Sequence, residues 1–133
     1  MKPTYETKGS AGADLYSTET VILDAGEWQA IPTGVEGTDV FGECFQIRNH
    51  AALIMPRSGL ALKKGVTVLN APGVIDSDYT DEIKVILINH NIEPVLINKG
   101  ERIAQLVIVP VAYGVNWEIK SETRSGGFGS TGA

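Results

Sequence analysis

Short apolar segments separated by turns dominate the chain, and a 3.6-residue period is almost absent. Residues 11–17, 21–23, 28–31, 51–55, 66–70, 83–89, 94–97, 102–109 and 115–119 read as strands, with at most one short strand near residues 4–7. Asp24-Ala25-Gly26-Glu27 predicts a hairpin between 21–23 and 28–31. Residues 33–40 are expected to pair with 45–47 across a glycine-containing loop, and 51–55 reads as a buried strand ending at Pro56. Alternation along 102–109 places Ile103, Gln105, Val107 and Val109 on one face, so Gln105 stands among apolar neighbours. A glutamine there is either satisfied within the protein or presented to a ligand. Residues 56–65 are the one predicted helix, with Ser58 as its cap, Lys63 and Lys64 complementing its C-terminal dipole, and Gly65 at the C′ position. Its start, with free backbone N–H groups beside Arg57 and a hydroxyl, suits an anion. The pattern predicts an all-β fold, a sandwich or jelly roll, with one short helix.

The most distinctive segment is Gly-Val-Ile-Asp-Ser-Asp-Tyr-Thr-Asp-Glu at 73–82, an acidic turn between the apolar runs 66–70 and 83–89. This reads as a hairpin presenting carboxylates beside a tyrosine, suited to binding a metal, activating a water, or simply solvating its own tip. A calcium loop is excluded, because its sixth and twelfth positions would be Asp81 and Leu87 rather than glycine and glutamate. Asp14, taken locally, reads as a turn or edge carboxylate. From Ser121 onward the composition changes: Arg124-Ser125-Gly126-Gly127-Phe128-Gly129-Ser130-Thr131-Gly132 is too poor in apolar residues to order itself. It is either a frayed terminus or a segment whose amides, hydroxyls and arginine wrap a phosphate chain while Phe128 stacks on a ring. It is no Walker loop, since the Gly-Lys-Ser/Thr step is missing.

Composition narrows the classes. The 133 residues suffice for one domain with a real core. A net charge of −5 argues against binding a nucleic-acid backbone, though not against a small phosphate-bearing ligand met by local arginines and a divalent cation. No apolar run is long enough to span a bilayer and no signal-peptide h-region is visible, so a cytoplasmic location is expected. The single cysteine, Cys44, excludes an internal disulfide, and His50 and His90 lack ligand spacing.

Taken together, residues 11–17, 56–61, 70 with 73–82, 102–108 and 124–132 resemble, in order, the five motifs of the homotrimeric dUTP pyrophosphatases (deoxyuridine 5′-triphosphate nucleotidohydrolases). The resemblance covers nearly the whole chain. It implies a jelly-roll or distorted β-barrel subunit (residues 1–120) assembling as a homotrimer, with active sites at subunit interfaces. Residues 121–133 would form a lid over a neighbouring subunit's site. It further implies hydrolysis of dUTP to dUMP and pyrophosphate with Mg²⁺, which limits uracil in DNA and supplies dUMP for dTMP synthesis. Asp76 matches the carboxylate that deprotonates the attacking water, and Gln105 the residue that contacts phosphate and helps place that water. Asn70 matches the amide reading the uracil edge, together with the backbone of Gly73, Val74 and Ile75. Tyr79 matches the aromatic packed on deoxyribose, leaving no room for a 2′-hydroxyl. Arg57, Ser58 and Gly59 match the phosphate-binding helix start, and Asp14 matches an acid that reaches the metal through water. Arg124, Phe128, Gly129, Ser130 and Thr131 match the lid, with Phe128 on uracil and the others on the β- and γ-phosphates.

Three features depart from the usual pattern. Asp81 stands where the family has glycine, Arg124 lies four residues before Phe128 rather than five, and residues 37–49 form a longer connection. The related dCTP deaminase fits poorly, because the helix-start pattern differs and a Gly-Gly-Phe-Gly lid is not its hallmark. A regulatory protein partner would be an addition to catalysis, and no residue specifically points to one.

Overall fold

The computed structural model describes residues 2–42, 49–121, 123 and 124. Its ten strands are β1 (Thr4–Tyr5), β2 (Ala13–Tyr16), β3 (Val21–Leu23), β4 (Trp28–Glu36), β5 (His50–Met55), β6 (Val66–Val68), β7 (Gly73–Ile75), β8 (Glu82–Asn89), β9 (Val95–Ile97) and β10 (Arg102–Pro110). Two short helices, α1 (Gly37–Phe41) and α2 (Ser58–Lys64), lie between them. The strands form a five-stranded sheet in the order β1-β2-β10-β5-β7, a three-stranded sheet β4-β8-β6 and a two-stranded ribbon β3-β9. The all-β expectation holds.

Alternation explains which faces meet. In β4, Ile31, Thr33 and Val35 point inward, and in β8, Ile83, Val85 and Leu87 do the same. The apolar ones among them meet Leu15, Ile103 and Leu106 from the large sheet and Leu23 and Ile97 from the ribbon in one continuous core. Each fully buried aliphatic side chain contributes on the order of 1.5–3 kcal/mol relative to exposure.

Several local expectations are corrected by pairing at long range. Residues 21–23 and 28–31 are joined by the expected turn, with Gly26 at φ 75° and Glu27 N–H donating to Asp24 O (2.9 Å). They do not pair with each other: β3 pairs with β9 and β4 with β8. The strand expected over 33–40 ends at Glu36, and the chain turns into a second helix, α1. The Asp39 carboxylate accepts the Glu36 N–H (2.8 Å), Phe41 anchors the helix in the core, and Gly42 at φ 78° ends it. The proposed partner segment 45–47 lies outside the described residues. Residues 115–119 are not a strand. Both edges of β10 are already occupied, and Asn116 takes a left-handed turn conformation (φ 61°). In α2, Arg57 rather than Ser58 is the N-cap and makes no side-chain capping bond, whereas Gly65 closes the helix at φ 65° as expected.

Asn89 ties these layers together. It is fully buried, and its Nδ2 donates to Leu23 O and Glu93 O (both 2.9 Å) while its Oδ1 accepts the Asn91 N–H (2.8 Å). Replacing it with alanine strands the buried Leu23 carbonyl, at roughly 1 kcal/mol, and removes the partners of the partly buried Glu93 carbonyl and Asn91 N–H, at less each. Asn89→Ala is therefore expected to lower stability by about 2 kcal/mol, read as a fall in the urea midpoint at unchanged slope.

Candidate active site

The acidic segment is not a simple hairpin. Its flanks do pair, Val66 with Asn89 and Val68 with Leu87. Between them, however, the chain leaves the three-stranded sheet through a cis Ala71–Pro72 bond and adds β7 to the edge of the five-stranded sheet. There Gly73, Val74 and Ile75 pair with Ile54, Leu53 and Ala52. The chain then turns at Asp76, where Tyr79 N–H donates to Asp76 O (3.0 Å), and returns to β8. This detour opens a cavity of about 160 Å³ between the two sheets. Ile54, Ile75, Ile83 and Ile86 give it an apolar lining, and Asn70, Asp76, Tyr79, Lys84 and Arg124 add polar atoms. Gly73 and Val74 complete the wall, so Asn70, Gly73, Val74, Ile75, Asp76, Tyr79 and Arg124 are brought together.

Tyr79 is held firmly. It is 7% exposed, and its hydroxyl donates to Glu82 O at 2.6 Å. The Arg124 guanidinium lies 5.3 Å from its ring centroid, within cation–π range, and bonds Asp76 (2.6 Å) and Asp78 (3.1 Å). Both carboxylates remain about half exposed, at 56% and 52%, so these pairs are solvent-screened. Burial works against the Arg124 charge, but its hydrogen bonds to Asp76 and Asp78 outweigh that and hold its proton more tightly than usual. Asp81 shows no left-handed backbone; among the described residues other than glycine, only Asn116 does. The turn therefore accommodates aspartate without the conformation that favours glycine.

A second cluster forms at the other end of β5. Asp14 lies inside β2, 8% exposed and flanked by β1 and β10, rather than at a turn or an edge. Its carboxylate sits 3.7 Å from Arg57 Nε and 3.5 Å from Arg102 Nη1. Gln105 pairs opposite Asp14 on one side and Met55 on the other, and its Nε2 donates to Pro56 O (3.0 Å). Ser58 and Gly59 open α2 just beyond, with the Ser58 side chain exposed. Two residues not singled out from the sequence belong here. Strict alternation puts Arg102 on the face opposite Gln105, but the irregularity between Arg102 and Ala104 shifts the register and lets it reach Asp14. Gly12 leaves the space that Gln105 fills, since a Cβ there would meet Gln105 Oε1 at 2.3 Å.

The two clusters do not meet within one chain. Asp76 follows the Ile75–Ala52 pair, whereas Gln105 faces Met55. That separates them by about 13 Å along β5 and by two strand spacings, roughly 10 Å, across it. Phe128, Gly129, Ser130 and Thr131 lie outside the described residues. Among the described residues, no group of three or more His, Cys, Asp or Glu is placed to hold a metal ion. The single carboxylate of Asp14 fits the common arrangement in which Mg²⁺ keeps its waters and takes most of its ligands from substrate phosphates.

Burial pushes the Tyr79 phenol above its ordinary value of 10.0; Asp81 and Glu82 add to the rise and Arg124 opposes it. A raised value in the folded state leaves stability intact below about pH 10 and erodes it above, as the unfolded chain ionises first. Tyr79→Phe is therefore expected to lose less stability than the parent between about pH 9 and pH 11. Equal losses in urea titrations at the two pH values would remove Tyr79 as the source.

Comparisons with known proteins identify the family. A dUTPase family model matches residues 1–132. The chain is 52% identical to the deoxyuridine 5′-triphosphate nucleotidohydrolase of Nautilia profundicola, covering 98% of this chain and 89% of that protein. It is 48% identical to that of Methylocella silvestris, covering 98% and 82%. Among solved structures it resembles the dUTPase of Streptococcus mutans, with a TM-score of 0.74, 28% identity, and 86% and 88% of the two chains covered. It also resembles a mutant of the Staphylococcus bacteriophage 80alpha dUTPase with dUpNHpp, with a TM-score of 0.72, 25% identity, and 100% and 92% covered. The chain belongs to the dUTPase family, and is thus an enzyme that hydrolyses dUTP.

Proposed function

We propose that catalysis takes place where the Asp76–Tyr79 cavity of one subunit meets the Asp14–Arg57–Gln105 cluster of another, in a homotrimer of jelly-roll subunits. The observation that carries this reading is the separation of the two clusters by the width and length of β5. A water held by Asp76 is too far from Gln105 of the same chain for both to act on it. A second copy brings the missing half. Closed rotational symmetry then makes every site equivalent.

In this reading uracil enters the cavity floored by Ile54 and Ile83, with its edge read by Asn70 and the backbone of Gly73, Val74 and Ile75. A wrong base leaves those polar groups unpaired, which is where selectivity arises. Tyr79 packs on the deoxyribose. Arg57, with the N–H groups of Ser58 and Gly59, binds the phosphates, and Gln105 contacts phosphate beside the water. The Asp76 carboxylate takes a proton from the water as its oxygen attacks the α-phosphorus in line. The bond to the bridging oxygen breaks and pyrophosphate leaves. Mg²⁺, held by the phosphates and through water by Asp14, would neutralise charge on the departing pyrophosphate. Arg124, seated here on Asp76 and Asp78, carries a positive charge at the rim, and the lid with Phe128, Gly129, Ser130 and Thr131 would exclude solvent over the bound nucleotide.

Pyrophosphate release should be seen with dUTP and not with UTP, dCTP or dTTP, and should fall sharply when EDTA removes Mg²⁺. Ammonia release from dCTP would instead indicate a deaminase. Asp76→Asn should abolish turnover while leaving dUTP binding largely intact; a rate within roughly tenfold of the parent would mean the base is elsewhere.

The interfacial arrangement has its own test. Asp76→Asn and Gln105→Leu chains, each inactive alone, are unfolded together in equal amounts and refolded. Random trimers then restore about a quarter of the parent sites, since each mixed trimer contains one site built from two intact halves. No recovery, with trimers formed normally, would place both residues in a site made by one chain.

A further inference from the structure

Helix α1 follows β4, and its first residue lies against the back of the Asp76–Tyr79 turn. Three contacts join the Gly34–Gly37 segment, which runs from the end of β4 into α1, to the Tyr79–Glu82 segment that leads from the turn into β8. Gly37 N–H donates to Asp81 O (2.9 Å), and Gly34 N–H donates to the Glu82 carboxylate (3.0 Å). The third is a packing contact without room to spare: a Cβ on Gly37 would fall 1.6 Å from Tyr79 O, 2.5 Å from Tyr79 C and 3.1 Å from Thr80 N. Those are backbone atoms, so no side-chain rotation relieves the overlap. Any side chain at position 37 must displace the turn or the helix. Gly37 is buried, and Phe41 one helical turn later is 5% exposed in the same core cluster as Tyr79.

Tyr79 is thus fixed at two points. Its hydroxyl is held from the front by Glu82 O at 2.6 Å, and its main chain is seated from behind on the bare backbone of Gly37. We infer that Gly37 is a positioning residue for sugar selection: the close approach it permits sets how far the Tyr79 ring protrudes into the site, and hence whether a 2′-hydroxyl is excluded. The inference rests on the reading of Tyr79 as the sugar-packing residue. Physically, a hydroxyl is excluded only if the ring is held within a fraction of an ångström, because a small outward shift opens the space that oxygen needs. A backbone-on-backbone contact supplies that stiffness better than a side chain would.

The test is the ratio of kcat/KM for dUTP to that for UTP in Gly37→Ala, with Gly9→Ala as the control, since a Cβ at Gly9 meets nothing within 4 Å. Gly37→Ala is expected to lower the ratio at least tenfold or so, with UTP turnover rising relative to dUTP, while Gly9→Ala leaves it unchanged. A merely destabilising change would lower both rates together and leave the ratio alone. A folded Gly37→Ala protein with a ratio within about twofold of the parent overturns the inference.

If Gly37→Ala shows no cooperative thermal transition, Asp39→Ala decides. It removes the carboxylate that accepts the Glu36 N–H at the start of α1 without adding bulk against the turn. It is expected to lower the ratio about threefold, and an unchanged ratio in that folded variant overturns the inference. Tyr79→Leu separates the two ideas. If it leaves the ratio unchanged, the sugar-packing reading fails. If it lowers the ratio while Gly37→Ala does not, that reading stands and the role of Gly37 fails.

Discussion

The architecture depends on one departure of the chain from local pairing. After β6 the simplest course would be a tight turn directly into β8, since their side chains are already in register over Val66–Asn89 and Val68–Leu87. Instead three residues, Gly73, Val74 and Ile75, find hydrogen-bond partners on β5 in the other sheet. The open edge of β5 supplies donors and acceptors that would otherwise go unmet, and Gly73 permits the approach to Ile54. The cost of a longer connection is small beside a row of satisfied backbone groups. What results is a gap between two sheets with an apolar lining and carboxylates at its mouth.

The same detour disperses the candidate site residues. By adding β7 to the edge of the large sheet, it sets Asp76 at one end of β5, while β10 and α2 carry Gln105 and Arg57 to the other. Each half holds its carboxylates against arginine. Asp14 faces two arginines, and Asp76 and Asp78 face Arg124. The ion pairs hold these side chains in defined orientations within each cluster. These ion pairs are partly exposed, so their value lies in orientation more than in folding energy.

Stability and function draw on different parts of the molecule. The core of Leu15, Leu23, Ile31, Ile83, Leu87, Ile97, Ile103 and Leu106 closes beneath the site, and Asn89 locks the ribbon to the three-stranded sheet. Tyr79 belongs to both, as a core side chain whose ring also forms the cavity wall. Because a packed interior transmits small displacements, the turn that carries Tyr79 is only as well placed as the α1 segment behind it.

Much was legible in the sequence. Period-two alternation announced an all-β chain, the acid-rich decad marked the turn, and Pro56 to Gly65 marked a helix with its left-handed glycine cap. The ordered motifs pointed to the dUTPase family. These signals are local, written in a few adjacent residues, and need no partner to be read. The remainder was set by contacts distant in sequence. Residues 21–23 and 28–31 look like a hairpin yet go to different sheets, because β9 and β8 offer them better partners. Residues 115–119 alternate like a strand yet find no edge to join. The reach of Arg102 to Asp14 depends on a register shift, and Gly12 and Gly37 matter for what approaches them across the fold. The acidic decad shows both kinds of determination. Its composition alone marked it as an acidic turn with several possible roles, but only tertiary pairing with β5 split its strands between two sheets and opened the cavity, because hydrogen bonds between segments far apart in sequence leave no local signature.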